Sequence, residues 1–417
     1  FRSQMNVWLI KDGENLPLQP DARRMRTWML GEALAEQGHQ VTWWASTHSH
    51  QRKSLFFRED REVDIAPRFR LKLLHAGSYR RNKSIARLLH HSRLAAKFRE
   101  IAPTLPAPGI IVSAFPTIEL AFEAVAFAKP RAIPVIVDIR DPWPDSIIDH
   151  ARKPLRAIAR IAFRSLDRKT KACFVGADSL VACSSGFLDW GMDKSGRERQ
   201  PVDRVFYIGS TRPPATPPAA SKRIEELSKR LAGKRVFSFV GSFGHVYQLR
   251  LVCEAAAILR KRGPRDVHFV LAGDGQQYPR VAEAAQALDN LTATGWLSAR
   301  DVDRLMSFSH VGLAPIRQMP GCVPNKIFEY SAAGLPILSS LEGETGEILA
   351  QHRAGLTYAP EDREAFLSLV TRLASDEHLR REMAQNSAAM FEREFCAARI
   401  YDEYVHHVES IARARKH

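Results

Sequence analysis

The sequence predicts an α/β chain of two doubly wound domains, each a largely parallel sheet with helices on both faces. Three observations carry that expectation. Short runs rich in Val and Ile alternate with helical windows along the chain, and strands buried on both faces read as continuous apolar runs. The alternation stops once, at Ser210-Thr211-Arg212-Pro213-Pro214-Ala215-Thr216-Pro217-Pro218, and then restarts. The 417 residues suit two domains at roughly 100–200 residues each.

Taken in order, Phe1-Arg2-Ser3-Gln4 read as an addition ahead of Met5. Met5-Asn6-Val7-Trp8-Leu9-Ile10 reads as a first strand and not a signal peptide, because no apolar core of one follows. Further strands are predicted at 41–45, 109–114, 135–139 and 180–183, and helices near 22–37, 83–101, 117–128 and 152–176. Proline at the density of 210–218 fits neither a helix interior nor a central strand. Residues 211–221 are therefore the expected linker between an N-terminal domain at 5–210 and a C-terminal domain at 222–390. In the second half, strands are predicted at 236–240, 267–272, 291–294, 311–314 and 336–339. Helices are predicted at 247–262, 277–288, 299–308 and 325–333, and a helical tail over most of 361–413.

Composition narrows the function. Hydrophobic residues make up 45% and charged residues 26%, so the chain can bury full cores. No uncharged apolar run approaches the ~18 residues of a transmembrane helix. Cys173, Cys183, Cys253, Cys322 and Cys396 are scattered and form no C-x-x-C pair, which argues for a reducing compartment and against a cysteine metal site. Residues 1–210 hold 34 basic against 22 acidic side chains, and residues 211–417 hold 27 against 24. The basic excess thus belongs to the first half, and points either to general solubility or to an anionic surface that this domain faces.

Several strand ends carry candidate chemistry. Phe239-Val240-Gly241-Ser242-Phe243-Gly244-His245 is either a tight turn or a place where backbone amides approach a phosphate; it is not the G-x-G-x-x-G of a dinucleotide site. Val270-Leu271-Ala272-Gly273-Asp274-Gly275 and Thr294-Gly295-Trp296-Leu297 end the next two strands. In Pro324-Asn325-Lys326-Ile327-Phe328-Glu329-Tyr330-Ser331-Ala332-Ala333-Gly334-Leu335-Pro336 a helix starts near Asn325. Lys326 and Glu329 share a face there. They form either an ordinary intrahelical pair or a site in which the carboxylate accepts ribose hydroxyls and the lysine faces a diphosphate.

This ordered series of motifs resembles the second-domain signature of retaining family 4 glycosyltransferases. The first half agrees: Leu30-x-x-x-Leu34-x-x-x-Gly38-His39-x-Val41 looks like that family's first helix and second strand. Asp138-Ile139-Arg140-Asp141-Pro142-Trp143-Pro144 looks like an element of members that build bacterial surface polysaccharides. The resemblance implies a GT-B fold, two Rossmann-like domains facing across a cleft, with the tail at 391–417 crossing back to the first domain. It implies transfer of a sugar from a nucleotide donor, UDP before GDP, with retention of anomeric configuration and without a metal or other cofactor. Glu329 matches the second Glu of the family's E-x7-E motif, and Gly321 stands where the first Glu would be. The expected donor contacts are Glu329, Lys326, the backbone at Gly321, Cys322 and Val323, then Ser242, Gly244, Gly273, Trp296 and Leu297. Ser242 and Gln248 stand where a basic pair is usual; Lys326 and Arg317 are the cations available to compensate.

In the first domain, Arg26 sits where the family often places an arginine near the cleft, or else lies on a solvated helix face. Asp141 is expected either to contact the acceptor or to assist its deprotonation, or else to pair with Arg140 or cap the next helix. His39 reads as structural. Two basic segments, 79–99 and 152–164, are either amphipathic helices packed on their own sheet or surfaces for anionic lipid; in the second, Leu155, Ile158, Ala162 and Leu166 make one stripe. The expectation is a peripheral enzyme at the cytoplasmic face of the plasma membrane, glycosylating a lipid-linked saccharide in polysaccharide or O-antigen assembly. Alternatives are a GT-B nucleotide-sugar 2-epimerase and, more remotely, a nucleic-acid-binding protein, which would need aromatics interleaved with its basic residues.

Overall fold

The computed structural model describes residues 4–18, 22–82, 84–149, 153–214, 219–317 and 321–415; Lys83, Arg152, Pro320 and the linker prolines at 217 and 218 lie outside these. The chain forms two compact units. One runs up to Phe206 and resumes at Arg399, and the other is Tyr207–Ala398.

In the first unit the chain lays down β1 (Asn6–Ile10), α1 (Arg26–Glu36), β2 (Gln40–Ser46), a small hairpin of β3 (His48–Ser49) and β4 (Ser54–Leu55), then β5 (Arg61–Ala66) and β6 (Phe69–Leu74). There follow α2 (Ile85–Ile101), β7 (Ile110–Phe115), α3 (Ile118–Ala128), β8 (Val135–Ile139), α4 (Asp145–Asp149), α5 (Arg156–Gly176), β9 (Ser179–Ala182), α6 (Ser185–Ser195) and β10 (Arg204–Val205). The sheet order is β10-β9-β8-β7-β1-β2-β6-β5. All pairs are parallel except β5 with β6. Strand order reverses between β1 and β7, the point at which such sheets open a crevice at their carboxyl ends. The predicted apolar strands are all present. The β5–β6 pair was not expected, because Phe69, Leu71 and Leu73 alternate with Arg70 and Lys72, whose partners Glu62 and Asp64 lie on the antiparallel neighbour.

The second unit contains α7 (Lys222–Arg230), β11 (Arg235–Val240), α8 (Leu249–Arg262), β12 (Val267–Ala272), α9 (Tyr278–Ala287), β13 (Leu291–Gly295), α10 (Ala299–Phe308) and β14 (Val311–Ala314). It continues through α11 (Asn325–Ala332), β15 (Ile337–Ser339), α12 (Glu344–Gln351), β16 (Gly355–Thr357), α13 (Arg363–Ser375) and α14 (Glu377–Met390). Its sheet, β13-β12-β11-β14-β15-β16, is parallel throughout and reverses between β11 and β14.

The last helix, α15 (Ala397–Ala414), is held in the first unit by buried polar contacts. Glu409 lies 3.2 Å from His39 Nε2, His407 Nε2 lies 3.0 Å from Ser179 Oγ, and Tyr404 stacks on Phe206 with centroids 4.5 Å apart. Passage between the units falls before the expected residue 210 and after the expected 391. Phe391 and Phe395 belong to the second unit's core, and Tyr207 packs against Phe395 there.

Helix α5 is exposed along its first turns. Only Thr170, Cys173 and Phe174 of it are buried, so its first turns do not pack on the sheet, and Leu155, Ile158 and Ile161 are all exposed.

Buried histidines make this fold acid-sensitive. Burial pushes the His48 and His407 imidazoles down from 6.5 to about 4. Each stays neutral in the folded chain while its unfolded counterpart gains a proton below 6.5, so stability falls as pH drops from 6.5 to 4. The slope is at most about 1.4 kcal/mol per pH unit for each histidine. Melting followed by circular dichroism across this range should show that loss, and His407→Gln should flatten it; an unchanged slope would remove His407 from the account.

Candidate active site

The second unit gathers most of the expected donor residues at the β11/β14 switch point. Two turns, one after β11 and one after β12, lie against each other. Gly241 N donates to Ala272 O at 2.9 Å, and Phe243 N to Asp274 O at 2.8 Å. The backbones are so close that a Cβ on Gly273 would fall 1.7 Å from Gly241 O, so no other residue fits at 273. These bonds occupy two amides of the Gly241–Gly244 turn. Ser242, which is exposed, and Gly244 keep amides without an acceptor among the described residues.

Lys326, in the first turn of α11, is 5% exposed. Its Nζ donates to Val240 O, the last carbonyl of β11, and lies 4.1 Å from the Phe239 ring centroid and 4.7 Å from that of Tyr247. A Cβ on Gly241 would meet Nζ at 2.2 Å, so the lysine is seated only because that residue is glycine. Glu329 is half-buried one turn on. Burial, then its negative charge, raises the Tyr247 phenol, whose ring lies beside Lys326. Sequence reasoning missed Tyr247, whose sole signal was its place seven residues past the strand. Tyr330 fastens the back of α11, its hydroxyl donating to Leu313 O and accepting from Val240 N at 3.0 and 3.1 Å.

Other predicted residues divide by what their side chains do. Gly321 takes φ +70°, and Cys322 O accepts from Thr345 Oγ1 at 3.2 Å. The side chains of Val323 and Leu297 are buried in hydrophobic cores, which leaves only their backbones for a ligand. Trp296 is 75% exposed and offers an open indole face beside Gly295. Arg317 faces Glu361 at 3.5 Å. Gln248 is buried at the start of α8; its Oε1 accepts from Glu361 N at 3.4 Å, and its Nε2 has no partner among the described residues.

In the first unit, Arg26 is neither on a solvated face nor open to a substrate. It is 2% exposed. Its Nε and Nη2 grip the two oxygens of Asp138 at 2.8 and 3.0 Å, its Nη1 donates to Phe206 O at 2.6 Å, and its guanidinium lies over the Tyr404 ring. Arg140 binds the same carboxylate at 2.9 Å and pairs with Glu14. The two cations hold the buried Asp138 carboxyl below its usual range against the cost of burial. Arg26 therefore ties down the end of β8 and does not face solvent. Asp141 accepts from Trp143 Nε1 at 2.9 Å and Ser146 Oγ at 3.0 Å, so it caps the chain's entry into α4 and fixes the Trp143 ring. His39 is buried against Glu409, as a structural residue would be. Arg24 lies 3.6 Å from Glu32.

The first unit also holds a cluster absent from the sequence expectations. Asp12, just past β1, accepts from Ser46 N at 3.0 Å and lies 3.4 Å from His90 Nε2. His48 packs on Tyr79 at 4.3 Å, and His50 Nδ1 lies 2.6 Å from the Tyr79 hydroxyl. These groups come from positions up to 78 residues apart, between Asp12 and His90, with no local motif to announce them.

Comparison with known proteins finds relatives for the second unit and for the fold. Residues 234–376 match the family described as glycosyl transferases group 1. The chain is 25% identical over 283 residues to an alpha-D-kanosaminyltransferase of Streptomyces kanamyceticus, covering 65% of this chain and 69% of that one. It is 26% identical over 180 residues to the O-antigen chain mannosyltransferase C of Escherichia coli, covering 42% and 47%. Among solved structures it resembles a sucrose-phosphate synthase from Thermosynechococcus elongatus (TM-score 0.74, 16% identity, 99% of this chain and 100% of that one). It also resembles Anabaena HepE in complex with UDP (TM-score 0.69, 13% identity, 97% and 100%). The chain thus has the GT-B fold, and residues 234–376 of its second unit resemble the group 1 glycosyltransferases.

Proposed function

We propose that the protein transfers a sugar from a UDP-type donor, with retention, to a lipid-linked saccharide at an anionic membrane surface on the cytoplasmic side. The observation that carries the donor half is the seat of Lys326 against Val240 and Gly241, with Glu329 one turn on and two amides of the Gly241–Gly244 turn beside it. In this reading Glu329 accepts both ribose hydroxyls, and the Trp296 face and the backbone at Gly295 flank the base. The Ser242 and Gly244 amides and the α11 N-terminus meet the diphosphate. Lys326 puts a fixed positive charge behind them, where charge grows as the nucleotide leaves. Fixed donors of this kind do the work a divalent cation would otherwise do. The acceptor hydroxyl then attacks from the face the nucleotide leaves, with no protein nucleophile. At the position of the first Glu of E-x7-E, Gly321 offers backbone alone to the donor sugar, as do its neighbours Cys322 and Val323.

The membrane half rests on exposed apolar side chains beside arginines. Ile85, Leu88 and Leu89 on α2 and Leu155, Ile158 and Ile161 at the start of α5 are exposed, with Ile85 at 75% and Ile161 at 76%. Arg80, Arg81, Arg160 and Arg164 are exposed nearby in sequence. No helix among the described residues is long and apolar enough to cross a membrane, whereas an amphipathic basic helix lies on anionic lipid at ~1 kcal/mol per cation. The relatives named for O-antigen and kanosamine transfer support glycosyl transfer as the chemistry.

Calorimetry with UDP should show Glu329→Ala binding at least about tenfold more weakly, the loss of one charge-assisted hydrogen bond being enough; affinity equal to wild type would refute the site. Gly241→Ala should lose UDP affinity through displacement of Lys326, and retained affinity would show that the lysine's seat is irrelevant to the ligand. Turnover with excess EDTA and NMR of the new anomeric proton tests the chemistry: abolished activity or an inverted product contradicts it. Sedimentation with phosphatidylglycerol vesicles should fall when Arg80, Arg81, Arg160 and Arg164 become Ser, and when salt is raised. Equal binding to neutral and anionic vesicles would remove the membrane.

A further inference from the structure

Two cations in the first unit, Lys53 and Arg87, stand together without an acidic partner. Lys53 follows the first strand of the β3–β4 hairpin, and Arg87 lies in the first turn of α2. Both are half-buried. The same residue joins them: Lys53 Nζ donates to the Asn82 side-chain oxygen, and Arg87 Nη1 to the Asn82 carbonyl at 3.1 Å. Their remaining contacts are neutral. Lys53 lies 3.5 Å from His50 Nδ1 and 5.2 Å from the Tyr79 ring centroid. Arg87 lies 4.8 Å from the Trp143 ring centroid and 5.9 Å from that of Tyr79, and its Nε is buried with no hydrogen-bond partner among the described residues. No carboxylate among the described residues comes within ion-pair distance of either; the nearby Asp12 carboxylate is already taken by His90 and Ser46 N. Burial and the charge of Arg87 both lower the Lys53 ammonium. Two like charges held side by side by neutral groups are unfavourable unless an anion joins them.

We propose that Lys53 and Arg87 bind a phosphoryl group, the phosphate or diphosphate that links the acceptor saccharide to its lipid. The proposal rests on the reading of the protein as a transferase to a lipid-linked saccharide, and gives that acceptor its recognised headgroup. Three features fit this ligand. Guanidinium and ammonium groups are the side chains that bind phosphate most strongly, the one as a planar fork and the other as a point charge. The first two turns of α2, which carry Arg87, also carry Ile85, Leu88 and Leu89 exposed, so a lipid chain meets apolar side chains on the same turns as the phosphate site. Trp143, on which Arg87 lies, is fixed by Asp141, so the phosphate site adjoins the residue expected to meet the acceptor.

The test uses the full chain saturated with UDP, so that the second unit's own anion site is filled. Inorganic diphosphate is titrated by calorimetry into wild type and into Lys53→Gln/Arg87→Gln. The wild type should bind it, and the double variant at least about tenfold more weakly, with UDP affinity and melting temperature unchanged. Phosphatidylcholine vesicles doped with polyprenyl diphosphate should be held more tightly than vesicles of equal charge made with phosphatidylglycerol, and the variant should lose that preference. Absence of diphosphate binding by the wild type, or equal binding by the variant, overturns the site. Diphosphate binding without any vesicle preference overturns the lipid-linked source. Failure of UDP to bind overturns the transferase reading instead, and the diphosphate titration without UDP then still decides the site.

Discussion

A parallel strand ends with a carbonyl that has no partner in the sheet, and in this protein buried or half-buried cations take those carbonyls at the functional edges. Lys326 takes Val240 O at the end of β11, Arg26 takes Phe206 O just past β10, and Lys11 takes Pro116 O just past β7 at 2.8 Å. An unsatisfied buried carbonyl costs about 1–3 kcal/mol, and a cation desolvated without a partner costs more, so each arrangement solves two problems at once. At Lys326 it also leaves a positive charge at the carboxyl edge of the sheet, where doubly wound folds bind ligands, whereas the charge of Arg26 is balanced by Asp138. Burial, then repulsion from Arg140, lowers the Lys11 ammonium to about 8, so this edge holds its charge against a real desolvation cost.

The seat of Lys326 in turn depends on backbone without side chains. Gly241 and Gly273 have φ of +144° and +150°, and a Cβ at either would strike the lysine or the neighbouring turn. The glycines after β11 and β12 therefore serve first to let two turns and a lysine approach. Within Gly241–Gly244, the amides of Ser242 and Gly244 are the two without an acceptor among the described residues. This is a narrower role than the phosphate-cradling one suggested by the motif, and the positive charge beside the turn is that of the buried lysine.

Much of the fold was legible because the strands of a two-faced parallel sheet are continuous apolar runs, and β1, β7, β8, β11 and β12 are such runs. The amphipathic β5–β6 pair and the three-residue edge strand β16 were not, since charge alternation and short length hide them. In the site, Lys326 and Glu329 were readable because three residues on a helix fix a shared face. Leu297 was harder to read, because its side chain is buried in the core and a motif position does not say whether backbone or side chain is exposed. Arg26 was misleading for a different reason: its partners Asp138, Phe206 and Tyr404 lie far along the chain, and only their convergence makes it a buried tie. The same separation hid Asp12, His48, Tyr79 and His90.

The basic excess of the first half now has a physical division. Arg26 and Arg140 are neutralised by Asp138 and Glu14, and Lys194 by Asp145 and Asp167, so these cations contribute little field outside the unit. Those at the starts of α2 and α5 are different. Arg80, Arg81, Arg160 and Arg164 are exposed, and Lys53 and Arg87 have only neutral partners. Both helices follow strands of one parallel sheet, so both start at its carboxyl edge, where the exposed leucines and isoleucines also lie. Charge that is paired where it is structural and unpaired where the helices begin gives that edge a local potential, which the net charge of the whole chain understates.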